Sequence, residues 1–290
     1  MATTTPDLSA VERLELATRQ LVRDLAAGDA ASAKHGRGVD FGDVREYAAG
    51  DDVRGMDWRV TARMGTAHVR LREEERELTM LVALDCTASA LTGSRGRTRR
   101  ELAAEVGAVL ALAGAWKHAA VGLALVDGGV RAVESPRRGH RHALRLAGLL
   151  LDAPLGAGSF ADGLAALDRL VKRRTLLVLL SDFEDPGLAA PIVRLARRHE
   201  VIGIQVTDAL ERRLPGAGLV ALEDPETGER QLVDTDDPGV RSWLAARLAS
   251  LDHDLGAAFV AADGDLLRLD ASAPYAEPLL AFFRRRARRR

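Results

Sequence analysis

Cysteine and lysine are scarce in this chain. Cys86 is the one cysteine in 290 residues, so no intrachain disulfide can form, which fits a reducing compartment. Of the 41 basic residues only Lys34, Lys117 and Lys172 are lysines, a bias expected of a GC-rich genome rather than of a binding function. Long apolar runs are missing too. The best stretch, residues 103–126, is interrupted by Glu105, Lys117 and His118, and its uninterrupted part is too short to span a bilayer. The first residues carry no basic region followed by an apolar stretch, so no secretory leader is expected. These absences predict a cytoplasmic protein without membrane contact.

Catalytic signatures are absent as well. There is no G-x-x-x-x-G-K-[ST], which removes the P-loop nucleotide hydrolases. No G-x-G-x-x-G follows the first parallel strand, which disfavours a dinucleotide fold. H-E-x-x-H, G-x-S-x-G and a cysteine pair for zinc are all lacking. His140 and His142 fall in a basic run, PRRGHRH, that reads as a solvated turn. Cys86 follows a strand end and reads as a buried thiol, since no base adjoins it in sequence.

What is present is the composition of a globular protein: 47% hydrophobic and 29% charged residues. Basic and acidic residues nearly cancel, 41 against 42, so the chain is not a polycation built for nucleic acid. The arginine-rich run 284–290 reads as the solvated end of a last helix. Val11, Leu14, Thr18, Leu21 and Leu25 mark one face of a first helix. Residues 34–65 lack periodicity and are rich in Gly, Asp and Arg. They predict an ordered arm, with Phe41, Tyr47 and Trp58 buried in it. HVRLREEE, after the arm, reads as an edge strand.

From there apolar strands alternate with amphipathic helices. LTMLVALD (78–85), AVGLALVD (120–127), TLLVLLSD (175–182) and VIGIQVTD (201–208) are the strands, with helices near 97–116, 139–152, 160–172 and 188–199 between them. A hairpin near 218–235, a helix over 238–261, the strand DLLRLD and a last helix from about 274 complete the pattern. This predicts an α/β fold, doubly wound, with a mainly parallel sheet and helices on both faces. The expected division is an N-terminal helix and arm over 1–75 and the α/β domain over 76–290. Ligands of such sheets bind beyond the carboxyl ends of the strands.

One such strand end is chemically rich. LVALD runs into C-T-A-S, giving Asp85-x-Thr87-x-Ser89: a carboxylate and two hydroxyls at alternate positions. Hard divalent cations such as Mg²⁺ or Mn²⁺ want this all-oxygen donor set, completed by water or an outside carboxylate. Asp182, at the end of TLLVLLSD, is placed to add a second carboxylate if the two strands are neighbours. Ser159, at a helix start, is placed to add a third hydroxyl. The competing reading has Thr87 and Ser89 capping the helix at 97–116 and Asp182 capping the one near 188.

The D-x-T-x-S pattern resembles the von Willebrand factor A-like fold, whose metal-ion-dependent adhesion site uses D-x-S-x-S, a Thr and a second Asp. The arm narrows the match. DFGDVREYAAGDDVRGMDW (40–58), TAR (61–63), REEER (72–76), SDF (181–183) and EDPETGE (223–229) resemble the signature of domain-of-unknown-function family fifty-eight. That resemblance implies a metal set of Asp85, Thr87, Ser89, Ser159 and Asp182, with Mg²⁺ or Mn²⁺ as cofactor. It implies a non-enzymatic adaptor or co-chaperone of a MoxR-type AAA+ ATPase, acting on a client protein. Arg45, Asp51, Asp52, Arg54, Asp57, Trp58 and Arg63 read either as an ion-pair network that fixes the arm to the sheet or as a docking surface for the ATPase or its client. Two other functions stay open at this point: a metal-assisted hydrolase using Asp85 and Asp182, and a metal-free scaffold.

Overall fold

The computed structural model describes residues 8–27, 44–48, 51, 53–70, 78–91, 93, 96–212, 216–223 and 229–289. The chain divides into two units, residues 30–77 and the remainder. In the smaller unit β1 (Val44–Glu46) pairs antiparallel with β2 (His68–Arg70). Helix α2 (Trp58–Met64) lies between them in sequence, capped at its start by Asp57 and ended by Gly65 at φ 75°. The strand expected in HVRLREEE is β2, and its partner is β1 of the arm.

The larger unit is a six-stranded sheet ordered β10-β7-β6-β3-β4-β5. Its strands are β3 (Thr79–Asp85), β4 (Ala120–Val126), β5 (Val130–Arg137), β6 (Leu176–Ser181), β7 (Glu200–Thr207) and β10 (Asp265–Asp270). All neighbours are parallel except the hairpin of β4 with β5. The order reverses at β3: the chain winds to β4 and β5 on one side, then returns to β6, β7 and β10 on the other. The helices are α1 (Leu8–Ala27), α3 (Arg99–Trp116), α4 (His140–Leu151), α5 (Phe160–Leu170), α6 (Ala189–Ala196), α7 (Ala209–Arg212), α8 (Pro238–Ala261) and α9 (Ala276–Ala287). The hairpin β8 (Leu219–Glu223) and β9 (Arg230–Asp234) forms its own two-stranded sheet. The doubly wound, mainly parallel α/β fold is as the strand and helix pattern predicts.

The two faces of the sheet are read off alternate residues. Met80, Val82 and Leu84 of β3, Val178 and Leu180 of β6, and Ile202, Ile204 and Val206 of β7 pack with α1, α3, α4 and α9. Leu81 and Ala83, Leu177 and Leu179, and Val201 pack with α5, α6 and α8. Burying each such Leu or Val removes it from water for about 2 kcal/mol. Helix α3 is buried along most of its length because α1 and α4 cover its outer side.

Three expectations are corrected. The sequence order groups the first helix with the arm, but Val11, Leu21, Val22 and Leu25 sit in the core beside α3. An amphipathic helix follows its apolar face, not its place in the chain. Tyr47 and Trp58, expected to bury, are 37% and 68% exposed, because so short a unit has little interior; Phe41 lies outside the described residues. The terminal arginine run is not wholly solvated, since Arg286 pairs with Glu200 and Asp265 at the starts of β7 and β10.

Candidate functional site

Every parallel strand leaves the sheet through an aspartate. Asp85, Asp127, Asp182, Asp208 and Asp270 each accept, through Oδ1, the backbone N–H two residues on. An aspartate closes this turn with its own side chain, so the residue type is explained locally before any function is invoked. Two of the five stand apart, because β3 and β6 are neighbours at the point where the strand order reverses.

At the end of β3, Asp85 is 3% exposed. Its Oδ1 accepts from the Thr87 N–H at 2.9 Å and the Thr87 hydroxyl at 2.8 Å. The Thr87 and Ser89 hydroxyl oxygens are 3.0 Å apart. The Thr87 proton is already committed to Asp85, so Ser89 donates to Thr87. The three oxygens thus form one chain on one side of the turn. The capping alternative for Thr87 and Ser89 does not hold: α3 is capped by Thr98 and Glu101 in a reciprocal box. Nor does Asp182 cap α6, whose N-cap residue is Leu188 and which has no side-chain cap.

Ser181 is the first contributor that the sequence reading missed. The register pairing Leu84 with Leu180 brings Ser181 beside Asp85, and its hydroxyl donates to Asp85 Oδ2 at 2.6 Å. Burial first, and the nearby Asp182 charge second, push the Asp85 carboxyl up to about 7. The hydrogen bonds from Ser181 and Thr87 pull the other way without prevailing.

Asp182 is buried in turn, and its Oδ2 accepts no hydrogen bond. That oxygen faces the guanidinium of Arg99 at 3.4 Å. Arg99 also donates to the Ser89 carbonyl at 2.7 Å and to Glu184 at 2.8 Å. Arg99 and Glu184 were also missed; the signal was charge balance, since two buried carboxylates demand a cation. The turn 181–185 is held hard. Phe183 adopts φ 56°, a left-handed geometry costly for a side chain. Its ring is wedged edge-on against Phe160 and Phe259.

Ser159 is the N-cap of α5. Its hydroxyl accepts from the Asp162 N–H at 3.4 Å and caps α5. Its loop does reach the site, since the Gly156 N–H donates to the Cys86 carbonyl at 2.7 Å. Gly158, at φ 117°, lies so close to Gly128 that a Cβ would collide with its backbone. Asp185 fills the start of α5, accepting from the Phe160 and Ala161 N–H groups. Cys86 is fully buried, and burial pushes its thiol up to about 11, which suits a packed core residue and not a nucleophile.

The donors fit a hard cation: the hydroxyls of Thr87, Ser89 and Ser181 and two carboxylates, one of which, Asp182, has a buried oxygen that accepts no hydrogen bond. Among the described residues no group of three or more His, Cys, Asp or Glu is placed to hold a metal, so an ion here would depend on hydroxyls and water.

The arm residues resolve differently. Arg45 and Asp51 form a two-pronged ion pair at 2.6 and 2.8 Å, and Asp57 is spent on capping α2. Trp58 and Arg63 are exposed on α2. Asp52 and the Arg54 side chain lie outside the described residues.

Residues 43–253 match the family described as protein of unknown function DUF58. The chain belongs to that family. This DUF58 chain is 32% identical over 289 residues to an uncharacterized protein of Mycobacterium tuberculosis, covering 98% of this chain and 91% of the relative. A shorter match, 38% over 91 residues, links 31% of the DUF58 chain to 82% of an uncharacterized protein in the moxR 3' region of Paracoccus denitrificans. Among solved structures it is similar to a von Willebrand factor type A protein from Catenulispora acidiphila, at 13% identity and a TM-score of 0.33. That match covers 73% of this chain and 42% of the other. No helix among the described residues is long and apolar enough to cross a membrane.

Proposed function

We propose that this chain is a metal-dependent protein-interaction module without catalysis of its own, acting as adaptor or co-chaperone of a MoxR-type AAA+ ATPase. One observation carries the metal reading: carboxylates and hydroxyls from the exits of two adjacent strands converge at the switch point, with a buried Asp182 oxygen that accepts no hydrogen bond. Asp85, Thr87, Ser89 and Asp182 would hold Mg²⁺ or Mn²⁺. Ser159 would join only if its hydroxyl left the cap of α5. A bound ion supplies an open position for a carboxylate of the partner. The Paracoccus relative's place in the moxR 3' region supports an ATPase of that kind as partner. In the arm, Trp58 and Arg63 are the docking residues this reading favours, because Arg45, Asp51 and Asp57 are used internally.

The test is affinity capture of the ATPase with the full chain. Capture is expected in Mg²⁺ and absent in EDTA, and Asp85→Ala should lose it in both. Equal capture by wild type in Mg²⁺ and in EDTA, and by Asp85→Ala, would remove the metal from the mechanism. Metal-dependent turnover of phosphate or peptide substrates would replace the adaptor reading with a hydrolase.

A further inference from the structure

We propose that Arg99 is a tethered cation that competes with a divalent ion for Asp182 and so sets the metal affinity of the site. The inference rests on the metal reading above. Arg99 is the first residue of α3, and its side chain is only 5% exposed. It spans both halves of the site, with the Ser89 carbonyl on one side and Asp182 and Glu184 on the other. A guanidinium buried this deeply must be paired. Its pairings with these two carboxylates are unequal. Glu184, 42% exposed, takes a direct hydrogen bond at 2.8 Å. Asp182 faces it at 3.4 Å and accepts no hydrogen bond on the oxygen concerned.

Two consequences follow from Coulomb's law. A divalent ion using Asp182 stands within a few ångströms of a second positive charge, a repulsion that low local polarity magnifies. The ion binds only if the guanidinium gives up Asp182, and Glu184 offers it an outer perch at no further travel. Arg99 therefore neutralises Asp182 in the metal-free chain and lowers cation affinity. Glu184 draws Arg99 outward and raises that affinity. A purely structural Arg99 predicts the reverse sign, since removing it would loosen the loops and weaken binding.

The experiment is a Mn²⁺ titration of the full chain, followed by loss of the free-ion electron paramagnetic resonance signal. Wild type, Arg99→Gln, Glu184→Gln and the double variant are compared, with melting in EDTA confirming that each is folded. Arg99→Gln should bind about tenfold tighter and Glu184→Gln about threefold weaker. In the Arg99→Gln background the Glu184→Gln effect should shrink below about twofold, because its target is gone. Weaker or equal binding by Arg99→Gln overturns the proposal, as does full additivity of the two changes. If Arg99→Gln does not fold, unchanged affinity in Glu184→Gln, whose side chain is exposed, overturns it alone. Absence of Mn²⁺ binding in every variant instead removes the metal reading, and this inference with it.

Discussion

At the scale of single residues, Asp85 and Asp182 share a sequence environment and differ in charge balance. Asp182 has Arg99 beside it, whereas Asp85 is surrounded by neutral donors and an acidic neighbour. The Asp85 carboxyl is therefore raised to about 7, against about 3.9 in an unfolded chain. Between those values the folded state holds more protons than the unfolded state. Stability through this group is thus highest in acid and falls as pH rises toward about 7. Urea unfolding in EDTA from pH 4.5 to 8.5 should show that decline in wild type and not in Asp85→Asn, and parallel curves would contradict the account. Cys86 gives an independent check on burial. With its thiol raised to about 11, it should react with a thiol reagent at pH 8 only after unfolding. Fast labelling of the native chain would place it outside the core.

At the scale of elements, the turn after β6 does the positioning. Phe183 at φ 56° is strained, and the rings of Phe160 and Phe259 hold it there. Phe183→Ala should cost about 3 kcal/mol or more through the lost ring. Phe183→Gly should be less harmful than Phe183→Ala by about 1 kcal/mol, the reverse of the usual order, because glycine accepts a left-handed backbone freely. Urea midpoints of the two variants decide it, and alanine being the milder change would show that no strain is stored there. The D-x-T-x-S turn and Asp182 were legible in the sequence because an apolar strand followed by Asp reads directly as a strand exit. Ser181, Arg99 and Glu184 were not, since their roles come from register and from reach between elements 85 residues apart in sequence. Trp58 misled for a related reason: an aromatic residue predicts burial only where enough chain surrounds it to build an interior.

At the scale of the whole molecule, α1 and the residues from 78 onward build one α/β unit, and residues 30–77 form another. Apolar alternation made the sheet readable, while the arm offered a family motif without the periodicity from which pairing is read. The arm's surface is thus where recognition is least constrained by folding. Trp58→Ala should leave the melting temperature within about 2 °C, as surface changes do, while weakening capture of the ATPase several-fold. Unchanged capture would move docking elsewhere. The account as a whole rests on oxygens from the β3 and β6 exits forming one cation site, and Mn²⁺ binding to the full chain measures that most directly. One ion per chain is predicted for wild type, lost in both Asp85→Ala and Asp182→Ala. No binding at millimolar Mn²⁺, or binding that survives both substitutions, would contradict it.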